Sequence, residues 1–323
     1  MGYGQINAQN NRIATVSPVR GCSVEELRTL AREAEEWGLE AIFSPEVPSY
    51  SAIANAQIFA EATSKIKVGT WITSIYMRQP VMCAAEALTV QEVSGGRMVL
   101  GLGVSHKAVV TDRFGIDMGD PIEEMRKYIL AVRPFADGSS AVLTVKRQLP
   151  TFPIYTAVLT EKAAELAGEI ADGIMPWFAT PEYIKKLITA VHLGAEKAGR
   201  SPSEIDITHG IASFVSDDLE VAREAARQVL SVYASRFPYY RRVVKNIGFE
   251  YVTEKIKSGA DLADAVPNEF LDAVALVGPA ARCRKRLEEF RAAGIHLPII
   301  VPYPVGTQTS VEAMRNMINA LIK

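Results

Sequence analysis

The sequence predicts one α/β domain over residues 1–323, a (β/α)8 TIM barrel with a helical insertion after its seventh strand. Three observations lead there. Eight short β-branched, apolar runs each precede a helical segment, the alternation that produces a parallel sheet. The runs are continuously apolar rather than alternating, as strands covered on both faces are. The 323 residues fit a barrel, typically about 250 residues before insertions. A doubly wound open sheet is the rival, but it seldom strings together eight consecutive βα units.

The first run is Arg12–Val16. Ser23-Val-Glu-Glu then reads as an N-cap with an acidic first turn, opening a helix that stops at Gly38. Leu27, Leu30, Ala31, Ala34 and Trp37 recur at spacings of three and four, the stripe of a helix laid on a sheet. Ala41–Ser44 is the second run, followed by a helix over Ala52–Thr63, and Ile66–Thr73 is the third. Helix Pro80–Val93 carries proline at its first position and leads to the fourth strand, Met98–Gly103. After a long loop, Ser105–Asp120, come helix Pro121–Phe135 and the fifth strand, Pro153–Val158. Helix Glu161–Ala171 ends at Asp172-Gly173, the sixth strand spans Ile174–Phe178, and helix Pro181–Ala198 ends at Gly199. The seventh strand, Ile205–Phe214, is followed by a helix and then the insertion, roughly residues 232–275, rich in Tyr, Arg and Lys. Helix Pro279–Ala293, strand Leu297–Pro302 and helix Val311–Ile322 complete the chain.

Composition narrows the function. Hydrophobic residues make up 48% and charged residues 22%, enough for a sizeable core. A formal net charge of -2 lacks the basic excess that phosphate backbones or anionic membranes attract. No run is long and apolar enough for a transmembrane helix, and the first residues do not read as a secretory signal. The opening Met-Gly is not followed by the Ser or Thr that myristoylation needs. Cys22, Cys83 and Cys283 are too few and too scattered for a disulfide framework or zinc knuckle, so the expected setting is the cytoplasm. The four histidines show no metal-ligand spacing, and no metal is expected.

The long loop and the insertion both follow a strand's C-terminal end, the face where barrel active sites assemble. Gly101 and Gly103, at the end of the fourth strand, either clear space for a ligand or fit a tight barrel corner. His106 arrives just beyond them and is the first choice for ring contact or proton donation, because an imidazole titrates near neutrality. Trp71 could pack on a planar ring or belong to the core. Ala157-Val158-Leu159-Thr160 runs into a helix start, where free N–H groups favour a phosphate. Asp172-Gly173 is a helix stop or a phosphate contact. Glu46 is the one ionisable residue after the second strand and a candidate acid or base. His209, within the seventh strand, could point inward; His192 reads as structural, and His296, on the opposite rim, is rejected. Phe237, Tyr239, Tyr240, Arg241, Arg242 and Lys245 could cap the site or bind an anionic tail, or form a solvated helix face. Arg282, Arg284, Lys285 and Arg286 crowd a helix start, an unusual place for cations and a possible anion site. No barrel strand ends in the lysine that a Schiff-base phosphosugar lyase wants.

SGGRMVLGLGVSH (residues 94–106), IKVGTWIT (66–73), LAGEIADGIMPWFATPEYI (166–184) and GVSHKAVVTDRFGIDMGDPIEEMRKYI (103–129) together resemble the luciferase-like monooxygenase superfamily. The likeness runs from about residue 12 to residue 303 and is strongest to the coenzyme F420-dependent oxidoreductases. It implies a bulge in the third strand with a cis peptide near Trp71–Ile72 that props a deazaflavin ring. It also implies phosphate contacts from the amides of Val158, Leu159 and Thr160, beside Ala157, and from Asp172 and Gly173. The rest of the implied cofactor pocket comprises Ser44, Thr70, Gly103, Ser105, His106 and Trp177. Two departures stand out: the family often has Ala-Leu-Gly-Pro where this chain has Ala157–Thr160, and a His or Asp where it has Glu46. The implied activity is hydride transfer between bound coenzyme F420 and a small organic substrate, in a homodimer. The alternatives are an FMN-dependent monooxygenase on the same scaffold and a flavin-binding relative without turnover.

Overall fold

The structure is a computed structural model in which residues 12–140 and 151–322 are described. Its strands are β1 (Ala14–Val16), β2 (Ala41–Ser44), β3 (Lys67–Thr70), β4 (Thr73–Ser74), β5 (Met98–Gly103), β6 (Ile154–Thr156), β7 (Gly173–Ile174), β8 (Asp206–Val215), β9 (Ala275–Gly278) and β10 (Leu297–Pro302). All pair in parallel, in the order β10-β1-β2-β3-β5-β6-β7-β8. Residues Leu297–Pro302 then pair with Thr208–Ser213 and close the ring. The expected barrel is there.

One detail bears out the bulge that the resemblance implies, and one departs from expectation. The third predicted strand is split into β3 and β4 by a cis peptide between Trp71 and Ile72, with β4 resuming the pairing against β5. A ninth pairing segment, β9, begins where the expected insertion ends and hydrogen-bonds to Ala212–Val215. Because Ala212 and Ser213 also pair with β10, β9 occupies the opposite edge of β8, beyond the short β7.

The helices are α1 (Val24–Glu36), α2 (Ala52–Ala62), α3 (Pro80–Val93), α4 (Lys107–Val110), α5 (Pro121–Ala136), α6 (Glu161–Ile170), α7 (Pro181–Lys197), α8 (Leu219–Arg236), α9 (Pro238–Asn246), α10 (Glu250–Lys257), α11 (Leu262–Ala265), α12 (Asn268–Val274), α13 (Ala280–Ala292) and α14 (Ser310–Ile322). The predicted cap of α1 is a full capping box between Ser23 and Glu26. The insertion starts inside α8, which runs on to Arg236 without a break. Helices α6 and α7 meet backbone to backbone: a Cβ on Gly168 would strike the Val191 carbonyl, and one on Gly194 the Glu165 carbonyl. Among the described residues no helix is long and apolar enough to cross a membrane.

Buried side chains form two cores. Ile42, Val68, Leu100, Ile154 and Ile300 face the surrounding helices. Ala14, Phe43, Val99, Tyr155, Trp177 and Leu297 fill the barrel and continue into the insertion through Phe270 and Leu271. The N-terminal end is plugged by charge. Arg12 Nε lies 2.6 Å from Glu40 and Arg12 Nη2 3.2 Å from Asp206. The Tyr155 hydroxyl donates to Asp206 at 2.8 Å, and Lys67 Nζ to Glu40 at 2.9 Å. Burial pushes the Asp206 carboxyl up, but hydrogen bonds from His296, Arg12 and Tyr155 together with the Arg12 charge outweigh it and hold its pKa at about 2. Such a closed lower rim serves stability and leaves the other end for chemistry.

Candidate active site

The mouth of the barrel is organised around the break between β3 and β4. Trp71 and Ile72 both turn inward there. Gly210 on β8 leaves room for Trp71, whose ring an added Cβ would strike, and Gly103 leaves room for the Ile72 side chain. At Gly101 the space is taken by the Thr70 carbonyl and the Met175 sulfur. These glycines fit the bulge into the barrel, the second of the two readings open for them. The Trp71 indole meets Trp177 edge-on at 5.1 Å, with planes 82° apart.

Polar atoms left without partners mark the same place. Trp71 Nε1, Ser74 Oγ and His106 Nδ1 are buried and have no hydrogen-bond partner. Ser74 pairs in register with Gly103 and so shares its inward face. Buried polar groups are almost always satisfied, so orphans gathered at the open end of a barrel point to a ligand that completes them. Backbone strain adds to this. Ser105 (φ 55), two residues past β5, and Phe178 (φ 64), beside the Trp177–Gly210 bridge, hold left-handed conformations rare for such residues.

His106 sits where the sequence places it, but in a different ionic state. Its ring stacks on Phe237 with centroids 4.1 Å apart and lies 5.3 Å from Tyr240. Burial pushes its pKa down to about 4, so near neutrality it is an uncharged imidazole that can hydrogen-bond but carries no spare proton. The expectation of a group titrating near pH 7 is corrected. Desolvation by the insertion's aromatic rings is the cause.

Beyond β6 the chain runs through Ala157, Val158 and Leu159 to Thr160, the N-cap of α6, whose side chain accepts from the Ala163 amide. The Ala157 amide is spent on Leu102. The amides of Val158, Leu159 and Thr160 donate to no protein group among the described residues, and the positive end of α6 lies beside them. Free amides in a row beside a helix start could hold an anion.

Several candidates stand elsewhere. Asp172 and Gly173 precede β7 and therefore lie at the lower, N-terminal rim, away from the mouth. Asp172 Oδ2 accepts from Arg133 Nη1 and from the Ile154 amide, each at 2.7 Å, and Gly173 lies under the Tyr155 ring. Their expected phosphate contact is overturned, because in an all-parallel barrel a turn entering a strand is at the opposite end from one leaving it. Ser44 faces outward and accepts from Asn55 of α2 at 3.0 Å. Thr70 is fully buried and exchanges both hydrogen bonds with the Gly101 backbone. Glu46 reaches the mouth but is committed: Arg78 Nη1 donates to it and so does the Ser74 amide, at 3.0 Å. Its carboxylate clamps β4 to the start of α3. His209 packs outward on Phe290, with Nδ1 3.2 Å from the Pro176 carbonyl. Of the basic cluster opening α13, Arg282 pairs with Asp272, Arg286 with Glu289, and Arg284 donates to the Ala320 carbonyl at the end of α14.

Sequence reasoning missed Ser74, Tyr233 and Tyr303. Tyr233 packs on Trp177 (5.8 Å) and Tyr240 (5.0 Å), and its hydroxyl lies 3.4 Å from that of Tyr303. Tyr303 stands one residue past β10, and that position was the available signal. The mouth is thus walled by Trp71, Trp177, Tyr233, Tyr240, Phe237 and His106, a largely aromatic enclosure suited to a planar ring.

Comparison with known proteins agrees with this geometry. The family described as luciferase-like monooxygenase matches residues 7–297. The chain is 26% identical over 295 residues to a 5,10-methylenetetrahydromethanopterin reductase of Methanolobus tindarius, covering 85% of this chain and 89% of the relative. It is 26% identical over 325 residues, 89% of this chain and 92% of the relative, to a Mycobacterium tuberculosis protein named as a candidate coenzyme F420-dependent oxidoreductase. Among solved structures, the coenzyme F420-dependent tetrahydromethanopterin reductase of Methanopyrus kandleri superposes with a TM-score of 0.78 at 23% identity, covering 96% of this chain and 99% of that one. That likeness carries the fold.

Proposed function

The chain belongs to the luciferase-like monooxygenase family and is an enzyme, and on that footing we propose that it transfers a hydride between bound coenzyme F420 and a small organic substrate. The observation that carries this reading is the convergence of three orphaned buried polar atoms, Trp71 Nε1, Ser74 Oγ and His106 Nδ1, on one aromatic-walled mouth. The names of the relatives favour F420 as the occupant.

The donor set fits such a group. A deazaflavin has a planar tricyclic head with polar edges and a phosphate on its side chain. In this reading Trp71 and Ile72 form the shelf behind the ring, and Ser74 and His106 take its polar edge. The amides of Val158, Leu159 and Thr160 hold the phosphate, beside the positive end of α6. When bound, the cofactor supplies the hydride chemistry. The protein's part is to orient the ring, exclude water with Trp177, Tyr233 and Tyr240, and offer hydrogen bonds fixed in advance by packing. Neutral His106 supplies one of these. Glu46 acts through the Ser74 amide as a positioning residue.

An FMN-dependent monooxygenase is the second reading, favoured by the description of the family itself. Titrating the purified protein with each cofactor, by the quenching of its tryptophans, separates the two. The expected result is saturable F420 binding at least about tenfold tighter than FMN binding. Tighter FMN binding overturns the deazaflavin assignment. The reading also makes the enzyme a cytoplasmic homodimer, which sedimentation checks for the assembly.

A further inference from the structure

The proposed function leaves the substrate open, and one corner of the mouth narrows it. Tyr233 from α8 and Tyr303 from the end of β10 bring their hydroxyls to 3.4 Å. Each phenol has a single proton. Whichever hydroxyl donates to the other, the acceptor's own O–H remains, and no acceptor for it exists among the described residues. The rings are held firmly: Tyr303 stacks on Phe214 at 5.2 Å with planes 11° apart, and Tyr233 leans on Trp177 and Phe178. Burial raises both phenols above their usual range, so both are protonated donors at neutral pH.

A cation faces the same corner. Arg20 is exposed on the turn after β1, which leaves the barrel next to the end of β10 because the two strands pair in parallel; its charge is felt by both Tyr233 and Tyr303, and among the described residues it makes no ion pair. In the strand order β1 stands four places from β6 either way round the eight-membered ring. The Arg20 turn is therefore diametrically across the mouth from the Val158–Thr160 amides. That placement sets it apart from the proposed phosphate cradle. An unpaired guanidinium beside a free phenolic donor is a receptor for an oxygen anion.

We propose that Arg20 and the Tyr233–Tyr303 pair form a carboxylate subsite, so that the substrate is a small carbonyl or hydroxy compound carrying a carboxylate. This rests on the F420 reading for the reaction but not for the binding. The test therefore uses both free and F420-loaded protein.

Levulinate and its methyl ester, and 4-phenylbutyrate and its amide, are titrated calorimetrically at low salt into wild type, Arg20→Ala and Tyr303→Phe. The expected result is a preference of about tenfold or more for each acid over its neutral partner in wild type. Arg20→Ala abolishes that preference and Tyr303→Phe reduces it, while F420 affinity stays within about twofold. Equal binding of acids and neutral partners overturns the proposal, as does an Arg20→Ala variant that loses F420 affinity, which would assign the guanidinium to the cofactor. If F420 fails to bind wild type while the acid preference persists in the free protein, the cofactor reading falls and the subsite stands.

Discussion

The imidazole of His106 lies flat against the ring of Phe237, centroids 4.1 Å apart and planes 20° apart. This contact joins the loop after β5 to the first residue beyond α8, two segments more than a hundred residues apart in sequence. It also accounts for the neutral imidazole, since the insertion's rings remove the water that would solvate a charge.

Phe237→Ala is therefore expected to raise the His106 pKa from about 4 toward the ordinary value near 6.5. An NMR titration of the His106 ring proton reads it directly. The same variant should lose about tenfold or more in hydride transfer, because the imidazole is no longer held in place. A pKa that stays near 4 would mean that Phe237 is not what desolvates the ring.

Ser74→Ala separates ligand binding from stability. The hydroxyl is buried without a partner in the free protein, so its removal should leave the melting temperature unchanged or slightly raised. Cofactor affinity should fall by about tenfold, the worth of one good hydrogen bond. A loss of stability with unchanged affinity would place the hydroxyl in the scaffold.

Gly210→Ala should damage the site from behind. The new Cβ would meet the Trp71 ring and come within 2.9 Å of the Trp177 ring, and overpacking of this kind costs about 1–3 kcal/mol. Gly194→Ala forces α7 off α6 at similar cost, far from the mouth. Both should lower the melting temperature, but only the first should also weaken cofactor binding.

Stability should fall with acid through the histidines first. Burial depresses the pKa of His209 to about 4 against an ordinary 6.5, so between these values the unfolded chain binds the proton that the folded one refuses. The contribution is full above pH 6.5 and is lost as pH falls toward 4, at about 1.4 kcal/mol per pH unit. His106 adds to the slope in the same window. Asp206, with its folded pKa near 2, acts lower, its stabilisation fading below the unfolded value of about 3.9. Urea melts of His209→Gln from pH 7 to 4 should show about half the wild-type slope.

Much of the architecture was legible because its signals are local. The Ser23–Glu26 capping box, Pro80, Pro121 and Pro181 at helix starts, and Gly38, Gly199 and Gly294 just past helix ends all act within one turn of chain. Strand faces were not legible. Ser44 and Thr70 were read as lining the mouth, yet Ser44 turns to Asn55 and Thr70 to Gly101. A strand buried on both sides has no polar alternation to say which side is the interior. Segment β9 stayed hidden because its four residues follow a helix and pair only with distant β8. Asp172 and Gly173 were misassigned for a plainer reason: a turn entering a strand belongs to the lower rim, a rule that the order of elements already contains.

The sequence by itself determined a closed parallel ring, its long loops on the active face and the family to which the bulge at Trp71–Ile72 belongs. Periodicity, caps and short motifs are written in neighbouring residues. Only the tertiary structure decided which polar atoms stand without partners, that burial keeps His106 neutral, and that the Tyr233 and Tyr303 hydroxyls meet. Those facts depend on what distant segments bring to one point once β10 closes against β1 and β8. Solvation and hydrogen-bond satisfaction are properties of that enclosure, which no single stretch of chain encodes.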